Sequence, residues 1–314
     1  EYEQRLETVR KAASAVPAVE EALYRGFEDW ERQLVFKLAA RLAGEGCLVV
    51  AVAGGTNTGK STVFNSLLGN SPGGILSPVS PYGAYTKHPV IAAPTGRYQQ
   101  ALERGRLLPD AFIPMELNRS SPDAVTDPAQ DGMVVFVGQT EVLPDRMLLL
   151  DTPDIDSVIK ENWELAKSIR EAGDVLVAVL TGQKYADSVV VEFFKEALRS
   201  GRHIVPLMNM ADDADRGFEV TRRQLDEFYG YVSGDSGARK AMGPAFVMPR
   251  LSRNQVNSPP QPRCIDDEET ALMGYIESLD AVRLKKRILS DSLGGFASRA
   301  DEFLQRGEGI TFAL

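Results

Sequence analysis

The hydrophobic positions follow a helical spacing at both ends of the chain. Between residues 1 and 44, apolar side chains recur every three or four positions, which is typical of amphipathic helices. Pro17 divides this stretch into two predicted helices, because proline interrupts helical hydrogen bonding. Residues 266–307 repeat the helical spacing after the proline-rich segment "NQVNSPPQPRC". We therefore expect N- and C-terminal helices to flank the middle of the chain, where they can pack together.

The middle of the chain alternates short apolar runs with helical segments. The predicted strands are "CLVVAVA", "HPVIAA", "MVVFVG", "MLLLD", "DVLVAVL", "HIVPLM" and "AFVMP". The predicted helices are Lys60–Leu68, Glu161–Ala172, Asp187–Ser200 and Asp215–Val232. This alternation predicts an α/β fold with a mostly parallel sheet and helices on both faces. The section from "HPVIAA" to "MLLLD" lacks regular helices, and there we expect an antiparallel edge.

These patterns predict three parts: an N-terminal helical segment (1–44), a central α/β domain (45–256) and a C-terminal helical segment (257–314). The loop "NSPGGILSPVSPYGAYTKHP" and a polar insertion at 97–131 interrupt the alternation. Loops of this length are usually functional or partly disordered. Residue 1 is glutamate rather than methionine, so we expect that sequence is missing at the ends.

Composition narrows the class of protein and its location. The 314 residues carry a formal net charge of −9, which argues against broad nucleic-acid binding by charge but leaves room for a local basic patch. Cys47 and Cys264 lie far apart without metal-binding spacing, as expected of buried thiols in a reducing cytosol. No apolar run approaches the ~20 residues of a membrane span, and no signal peptide opens the chain. We expect a cytoplasmic protein, with peripheral membrane association left open.

The segment "GGTNTGKS" fits the phosphate-binding pattern G-x-x-x-x-G-K-[ST] and is called the P-loop here. Its glycines let backbone N–H groups turn around an anion, and Lys60 adds positive charge to the β- and γ-phosphates. The following helix directs its positive end at the phosphates, and Ser61 supplies a hydroxyl to Mg²⁺. A glycine-rich turn with an incidental lysine is disfavoured by the strand before the motif and the helix after it. The candidate nucleotide-binding residues here are Gly54, Gly55, Thr56, Asn57, Thr58, Gly59, Lys60, Ser61 and Thr62.

A carboxylate for the same Mg²⁺ is expected at the end of a neighbouring strand. Asp151 ends the apolar run "RMLLLD" and fits this role. Taken alone, Asp151 would more simply be interpreted as a residue that caps a turn before Pro153. Beside a P-loop, the metal-site interpretation is favoured.

With its continuation "GKST-x-FN-x-LLG", the P-loop resembles translation-factor-related GTPases, most closely the Era-like branch and the dynamin-like GTPases. "YTKHPV" resembles the dynamin-like switch I and makes Thr86 a candidate second Mg²⁺ ligand with a catalytic role. "LLLDTPDIDS" resembles the D-x-x-G segment of switch II. The resemblance covers about residues 47–252. It implies a G domain that binds GTP and GDP and hydrolyses GTP to GDP and phosphate with Mg²⁺, slowly until dimerisation, a cation or a partner completes the site.

The chain departs from these families near the phosphates. Asp154 stands where they usually have glycine, whose N–H meets the γ-phosphate. Asp154 keeps this N–H and so is a candidate nucleotide-binding residue, while its carboxylate is expected to point away from the phosphate. Ile155 stands where Ras-like proteins keep a water-orienting glutamine. Here the chain resembles the group of GTPases with a hydrophobic residue in place of that glutamine, so its attacking water is expected to be held in another way. Asn57 resembles an asparagine that helps hold K⁺ in Era-like GTPases, which makes K⁺ a candidate cofactor, although asparagine also occurs there without that role. Thr56 stands where dynamin-like members often carry a catalytic glutamine, which argues against their mechanism.

The base-reading motif also departs from the families. "PLMNMADD" lies where they carry N/T-K-x-D, so the resemblance assigns guanine recognition to Asn209 and Asp212. Met210 replaces the lysine that usually covers the base, and a thioether can pack on an aromatic face. Ser252, in "RLSRN", is a candidate for completing the base pocket. The alternative is that "NMADDAD" is only an acidic loop after a strand.

Several functions remain open at this point. The leading one is a GTP-hydrolysing switch of dynamin-like or Era-like type, with a homodimer through the G domain and a protein or membrane partner. A degenerate nucleotide-binding scaffold, a ribosome-associated GTPase and an ATP-specific P-loop enzyme are the alternatives.

Overall fold

The computed structural model describes most of the predicted α/β domain and part of the C-terminal segment. It covers residues 47–69, 77–79, 88–108, 112–117, 125, 134–156, 168–234, 242–252, 255, 259–291, 301–302 and 305. The predicted N-terminal helices and Thr86 lie outside the described residues. Within them, no helix is both long and apolar enough to cross a membrane.

All seven predicted apolar runs form strands of one sheet. The strands are β1 (Leu48–Gly54), β2 (Val90–Pro94), β3 (Ile113–Glu116), β4 (Val134–Thr140), β5 (Met147–Asp151), β6 (Val175–Leu180), β7 (His203–Ala211), β8 (Phe246–Pro249) and β9 (Arg263–Cys264). Their order in the sheet is β3-β4-β2-β5-β1-β6-β7-β8-β9. The pairs β5–β1, β1–β6, β6–β7 and β7–β8 are all parallel, which confirms the mostly parallel α/β fold.

The section from "HPVIAA" to "MLLLD" contains an antiparallel pairing, as predicted, but this pairing does not involve the outermost strand. The antiparallel pairing lies inside the sheet, between β2 and β5, and the strands beyond it, β4 and β3, are parallel to β2. Strand β3 lies within the 97–131 insertion, which therefore carries regular structure. Its residues are mostly exposed, as expected for an edge strand, and so they lack the apolar run that marks the other strands.

The helices are α1 (Lys60–Leu67), α2 (Tyr98–Leu102), α3 (Ser188–Arg199), α4 (Glu219–Ser233) and α5 (Leu272–Ser278). Residues 168–172, the described part of the predicted Glu161–Ala172 helix, and residues 281–291 are also helical. Helix α4 begins four residues later than predicted. The Asp213 carboxylate accepts hydrogen bonds from the N–H groups of Val220 and Thr221, at 2.9 and 3.0 Å, and so caps the helix there.

Helices cover both faces of the sheet, as predicted. Alternate residues of β1 point to opposite faces, so Val50 and Ala51 belong to different apolar clusters. Phe64 of α1 packs on the Val50 face. Phe194 of α3 and Phe228 of α4 pack edge-to-face on the other, with ring centroids 5.8 Å apart.

The described part of the C-terminal segment packs on the same core as the sheet. Strand β9 pairs antiparallel with β8. Ile276 of α5, and Leu284 and Ile288 of the helix at 281–291, are buried in the cluster on the α1 face. The boundary at 256 stays a prediction, and the predicted packing against the N-terminal helices falls outside the described residues.

One buried ion pair also joins this segment to the sheet. Lys285 Nζ lies 3.0 Å from Asp174 Oδ2, and the carboxylate also accepts a hydrogen bond from the N–H of Val49 at 2.9 Å. We expect Lys285→Ala to lower the free energy of unfolding by about 2–3 kcal/mol, because it leaves a buried carboxylate without its counter-charge. Urea unfolding measures this, and Lys286→Ala, which removes an exposed neighbouring lysine, is the matched control. Equal loss in both variants would contradict the role of the pair.

Candidate functional site

Several of the predicted site residues that the structure describes lie at one edge of the sheet. Strand β1 ends at Gly54, and α1 begins at Lys60, so the P-loop turns at the carboxyl end of β1. Asp151 ends β5, which lies directly beside β1. Asn209 lies near the carboxyl end of β7, two strands away on the other side. Parallel strands bring these side chains to the same edge, where α/β proteins bind their ligands.

The loop needs glycine where it approaches the neighbouring strands. Gly59 has a φ of 83°, a left-handed conformation that glycine adopts readily, and a Cβ there would collide with the amide of Asn209. A Cβ at Gly54 would collide with the carbonyl oxygen of Val179 on β6. The loop is therefore packed tightly against both strands.

Asn209 fastens the loop to β7. Its Nδ2 donates to the carbonyl of Thr58 at 2.8 Å, and its Oδ1 accepts from the N–H of Met210 at 2.9 Å. The side chain is buried, so both polar ends of the amide are paired within the protein. The structure therefore gives Asn209 a positioning contact with the P-loop, while its predicted contact with nucleotide stays a prediction.

Lys60 is almost completely buried at the start of α1, with 6% of its surface exposed. Its Nζ donates to the carbonyl of Gly55 at 2.9 Å, and the Thr58 hydroxyl donates to the same oxygen at 2.9 Å. The ammonium is thus folded over the loop that the sequence assigns to phosphate. Ser61 and Thr62 follow it in the first turn of α1.

A network that the sequence analysis missed holds the other side of the loop. Oδ1 of Asp156 accepts hydrogen bonds from the N–H and the hydroxyl of Thr56, at 2.8 and 2.7 Å. Its Oδ2 lies 2.8 Å from Lys184 Nζ. Burial alone would raise the pKa of Asp156, but the bonds from Lys184 and Thr56 hold it below its usual range. The ionised carboxylate therefore ties the P-loop to the segment after β5.

Asp151 is a fully buried carboxylate at the end of β5. Oδ2 accepts a hydrogen bond from the Ser77 hydroxyl at 2.5 Å, whereas Oδ1 has no hydrogen-bond donor among the described residues. Burial raises the pKa of Asp151 to about 6, against the lowering effects of hydrogen bonds from Ser77 and Ser61 and of the Lys60 charge. Such a group is stabilised by a cation at its open oxygen.

The chemistry of this donor set fits Mg²⁺. Asp151 and the hydroxyl of Ser61 supply hard oxygen ligands, and Mg²⁺ is usually held by one or two carboxylates together with substrate phosphates. In the described part of the chain, no group of three or more His, Cys, Asp or Glu side chains could form a metal cage.

Ser77 is a site residue that the sequence analysis left unassigned within the long loop. Asn65 of α1 holds its backbone at both ends: Nδ2 donates to the Ser77 carbonyl at 2.8 Å, and Oδ1 accepts from the Ser77 N–H at 3.2 Å. The "FN" of the motif tail was the available signal, because Asn65 belongs to it. This clamp brings a residue of the loop after α1 onto Asp151.

The structure differs from expectation at Asp154. Its carboxylate points toward the phosphate side of the loop, with Oδ1 2.5 Å from Lys60 Nζ. A buried ammonium requires a counter-charge, and Asp154 supplies one. Ile155, beside it, is 3% exposed and packs in the apolar cluster on the α3 face.

Apart from Asn209, the residues assigned to the base and to K⁺ are more exposed. Met210 has a φ of 58° and is 37% exposed, so its thioether is accessible. Asp212 faces Arg250, with Oδ2 and Nη2 4.0 Å apart, at the neighbouring ends of β7 and β8. The Ser252 hydroxyl donates to Gln255 Oε1 at 2.9 Å. Asn57 is exposed in the P-loop, with a φ of 62°.

Comparisons with solved structures return chains of an oligomerised bacterial dynamin pair, described as providing a mechanism for long-range sensing and tethering of membranes. Two such chains are each 12% identical to this one. The first match covers 95% of this chain and 56% of the solved chain, with a TM-score of 0.47. The second covers 99% and 55%, with a TM-score of 0.45. The chain thus spans just over half of the length of each.

No curated protein sequence matches the chain. The model of one protein family, described as 50S ribosome-binding GTPase, matches residues 49–210. This match covers just over half of the chain and includes the P-loop, Asp151 and Asn209. The chain therefore belongs to the family of GTPases that this model describes.

Proposed function

We propose that the chain binds GTP and GDP together with Mg²⁺ and hydrolyses GTP to GDP and phosphate, as a dynamin-like or Era-like molecular switch. One observation carries this proposal. The P-loop, with its buried Lys60, lies next to a buried carboxylate, Asp151, whose Oδ1 has no donor among the described residues. A phosphate together with a divalent cation would suit both groups. The cation would place positive charge beside Asp151, and the phosphate would place negative charge beside Lys60.

The residues of the chain would bind and orient the phosphates. Backbone N–H groups of the loop and Lys60 hold the phosphate oxygens, and α1 directs its positive end at them. Asn209 and Asp156 keep the loop in shape from its two sides, at Thr58 and Thr56. Ser61, Asp151 and the proposed ligand Thr86 would hold Mg²⁺, which would supply positive charge next to the phosphate oxygens. Ser77 would orient Asp151 through its hydrogen bond.

Guanine selectivity is the first test of this function. Asp212 is exposed and weakly paired, which leaves its carboxylate available to accept hydrogen bonds from the N–H groups of guanine. We expect GDP to bind at least about tenfold more tightly than ADP, since a lost pair of charge-assisted bonds is worth that much or more. Asp212→Ala should remove the preference and leave ADP affinity unchanged. Equal affinities in the unmodified protein would favour the ATP-specific alternative.

A non-hydrolysing scaffold is the second candidate. Two observations favour it: Ile155 is buried where Ras-like GTPases orient water with glutamine, and Asp154 contacts Lys60. The exposed Asn57 is the proposed K⁺ ligand that would supply the missing charge for hydrolysis. Phosphate release should therefore increase several-fold when K⁺ replaces Na⁺, and rise further with protein concentration if G domains pair. No release under any of these conditions would support the scaffold.

The cellular setting is proposed from the sequence resemblance. We place the protein in the cytoplasm, with a homodimer through the G domain and peripheral contact with a membrane or a protein partner. The description of the matching family makes the ribosome the alternative partner. Cosedimentation with vesicles and with ribosomes, each with GDP and a non-hydrolysable GTP analogue, distinguishes these settings.

A further inference from the structure

Three contacts hold the segment 154–156 against the P-loop. Asp154 Oδ1 lies 2.5 Å from Lys60 Nζ, and the N–H of Ile155 donates to the carbonyl of Gly54 at 3.3 Å. Asp156 accepts two hydrogen bonds from Thr56. The two residues that follow Asp154 therefore hold its backbone beside the loop, and the ion pair with Lys60 holds its carboxylate.

We propose that Asp154 is a specificity-determining residue that favours the nucleoside diphosphate over the triphosphate. Its carboxylate occupies the position next to Lys60 that a terminal phosphate would take. This inference rests on the proposed function, because it assumes a guanine nucleotide in the P-loop. It goes beyond that function by stating which nucleotide, the diphosphate or the triphosphate, the P-loop binds more tightly.

The donors of Lys60 explain the preference. An ammonium has three N–H groups, and two of those of Lys60 already donate to Asp154 and to the Gly55 carbonyl. A lysine of this motif reaches both the β- and γ-phosphates. The remaining N–H suffices for a β-phosphate oxygen, whereas a γ-phosphate must displace the carboxylate or lie beside it. Two anions on one ammonium repel each other, strongly so where little water screens them.

The contact discriminates against GTP without blocking it. The side chain of Asp154 is 17% exposed, compared with 6% for Lys60, so the carboxylate has a route toward solvent. When it leaves, Lys60 becomes available to the γ-phosphate, and the segment 154–156 loses one of its three contacts with the loop. GTP binding and release of this segment are thereby coupled.

The affinities of GDP and a non-hydrolysable GTP analogue, measured by titration calorimetry, test the proposal. The unmodified protein should bind GDP about tenfold or more tightly than the analogue, as one repulsive charge contact predicts. Asp154→Asn, which keeps the shape of the side chain, and Asp154→Gly should each reduce this ratio toward one, mainly by tightening binding of the analogue. Glu277→Gln removes an exposed acidic charge elsewhere and should leave the ratio unchanged.

Each outcome has one interpretation. A ratio that stays the same in both Asp154 variants overturns the proposal, while GDP binding in all four proteins would leave the proposed function standing. If no protein binds either nucleotide, the proposed function itself fails. The unmodified protein gives a test that does not depend on how well the variants fold. Equal affinity for GDP and the analogue would show that the Asp154 carboxylate does not compete with the γ-phosphate for Lys60.

Discussion

Replacing Lys60 by alanine is expected to weaken GDP binding by about 100-fold or more. A charge-assisted hydrogen bond contributes about 1.5–3 kcal/mol, and a unit charge pair near a protein surface about 4 kcal/mol at contact distance. A loss of about 3 kcal/mol corresponds to roughly two powers of ten in affinity. Titration of GDP in the presence of Mg²⁺ measures the effect directly.

Two controls separate the lost ammonium from its side effects. Lys60 is buried, so Lys60→Met, which keeps an apolar chain of similar length, tests whether packing alone changes binding. Removing the lysine also leaves the Asp154 carboxylate without its partner, where it would repel phosphate. The double variant Lys60→Met with Asp154→Asn removes that repulsion, and its binding should stay weak. GDP affinity within a few-fold of the unmodified protein in any of these variants would refute the assignment of the site.

The parts of this site that could be predicted from the sequence are those formed by residues close together in the chain. The P-loop is recognisable because a backbone that wraps an anion needs glycines at fixed spacing, and Gly54 and Gly59 fill positions where a Cβ would collide. Asp151 is recognisable because it ends an apolar strand. The sheet follows from apolar runs that are buried on both faces, such as β1 and β6.

The parts that escaped prediction depend on contacts between distant residues. Ser77 and Asp151 are 74 positions apart in the sequence, and Lys184 and Asp156 are 28 apart. No local sequence pattern therefore indicates either contact. The direction of Asp154 was missed for a related reason: its carboxylate follows the counter-charge of Lys60, 94 positions away. Strand β3 was missed because an exposed edge strand needs no apolar run.

Asp151→Asn is expected to have opposite effects on the free protein and on the nucleotide complex. Burial raises the pKa of Asp151 from 3.8 to about 6. Between pH 3.8 and about pH 6, the carboxyl is therefore protonated in the folded protein but ionised in the unfolded chain. Stability from this group is therefore present below about pH 4 and lost as the pH rises to about 6. At pH 7 the ionised carboxylate destabilises the free protein by about 3 kcal/mol, and the neutral amide should restore much of this.

In the complex, the same substitution should remove the benefit of Mg²⁺. The ionised Asp151 is the proposed anchor of the metal, so the gain in GDP affinity on adding Mg²⁺ should fall by about tenfold or more in the variant. In the unmodified protein this gain should increase with pH up to about 6, as the carboxylate loses its proton. Calorimetric titrations between pH 5 and pH 8, with Mg²⁺ or with a chelator, measure both dependences.

Asp156→Asn is the matched control, because the pKa of that carboxyl is shifted in the other direction. Hydrogen bonds from Lys184 and Thr56 outweigh burial there and favour the charged form. Its replacement by asparagine should therefore destabilise the free protein at pH 7, whereas Asp151→Asn stabilises it. Thermal unfolding of the nucleotide-free proteins measures both effects as changes in melting temperature of opposite sign. If Asp151→Asn also lowers the melting temperature, the open oxygen of Asp151 is satisfied within the protein, and the argument for a cation at that position is lost.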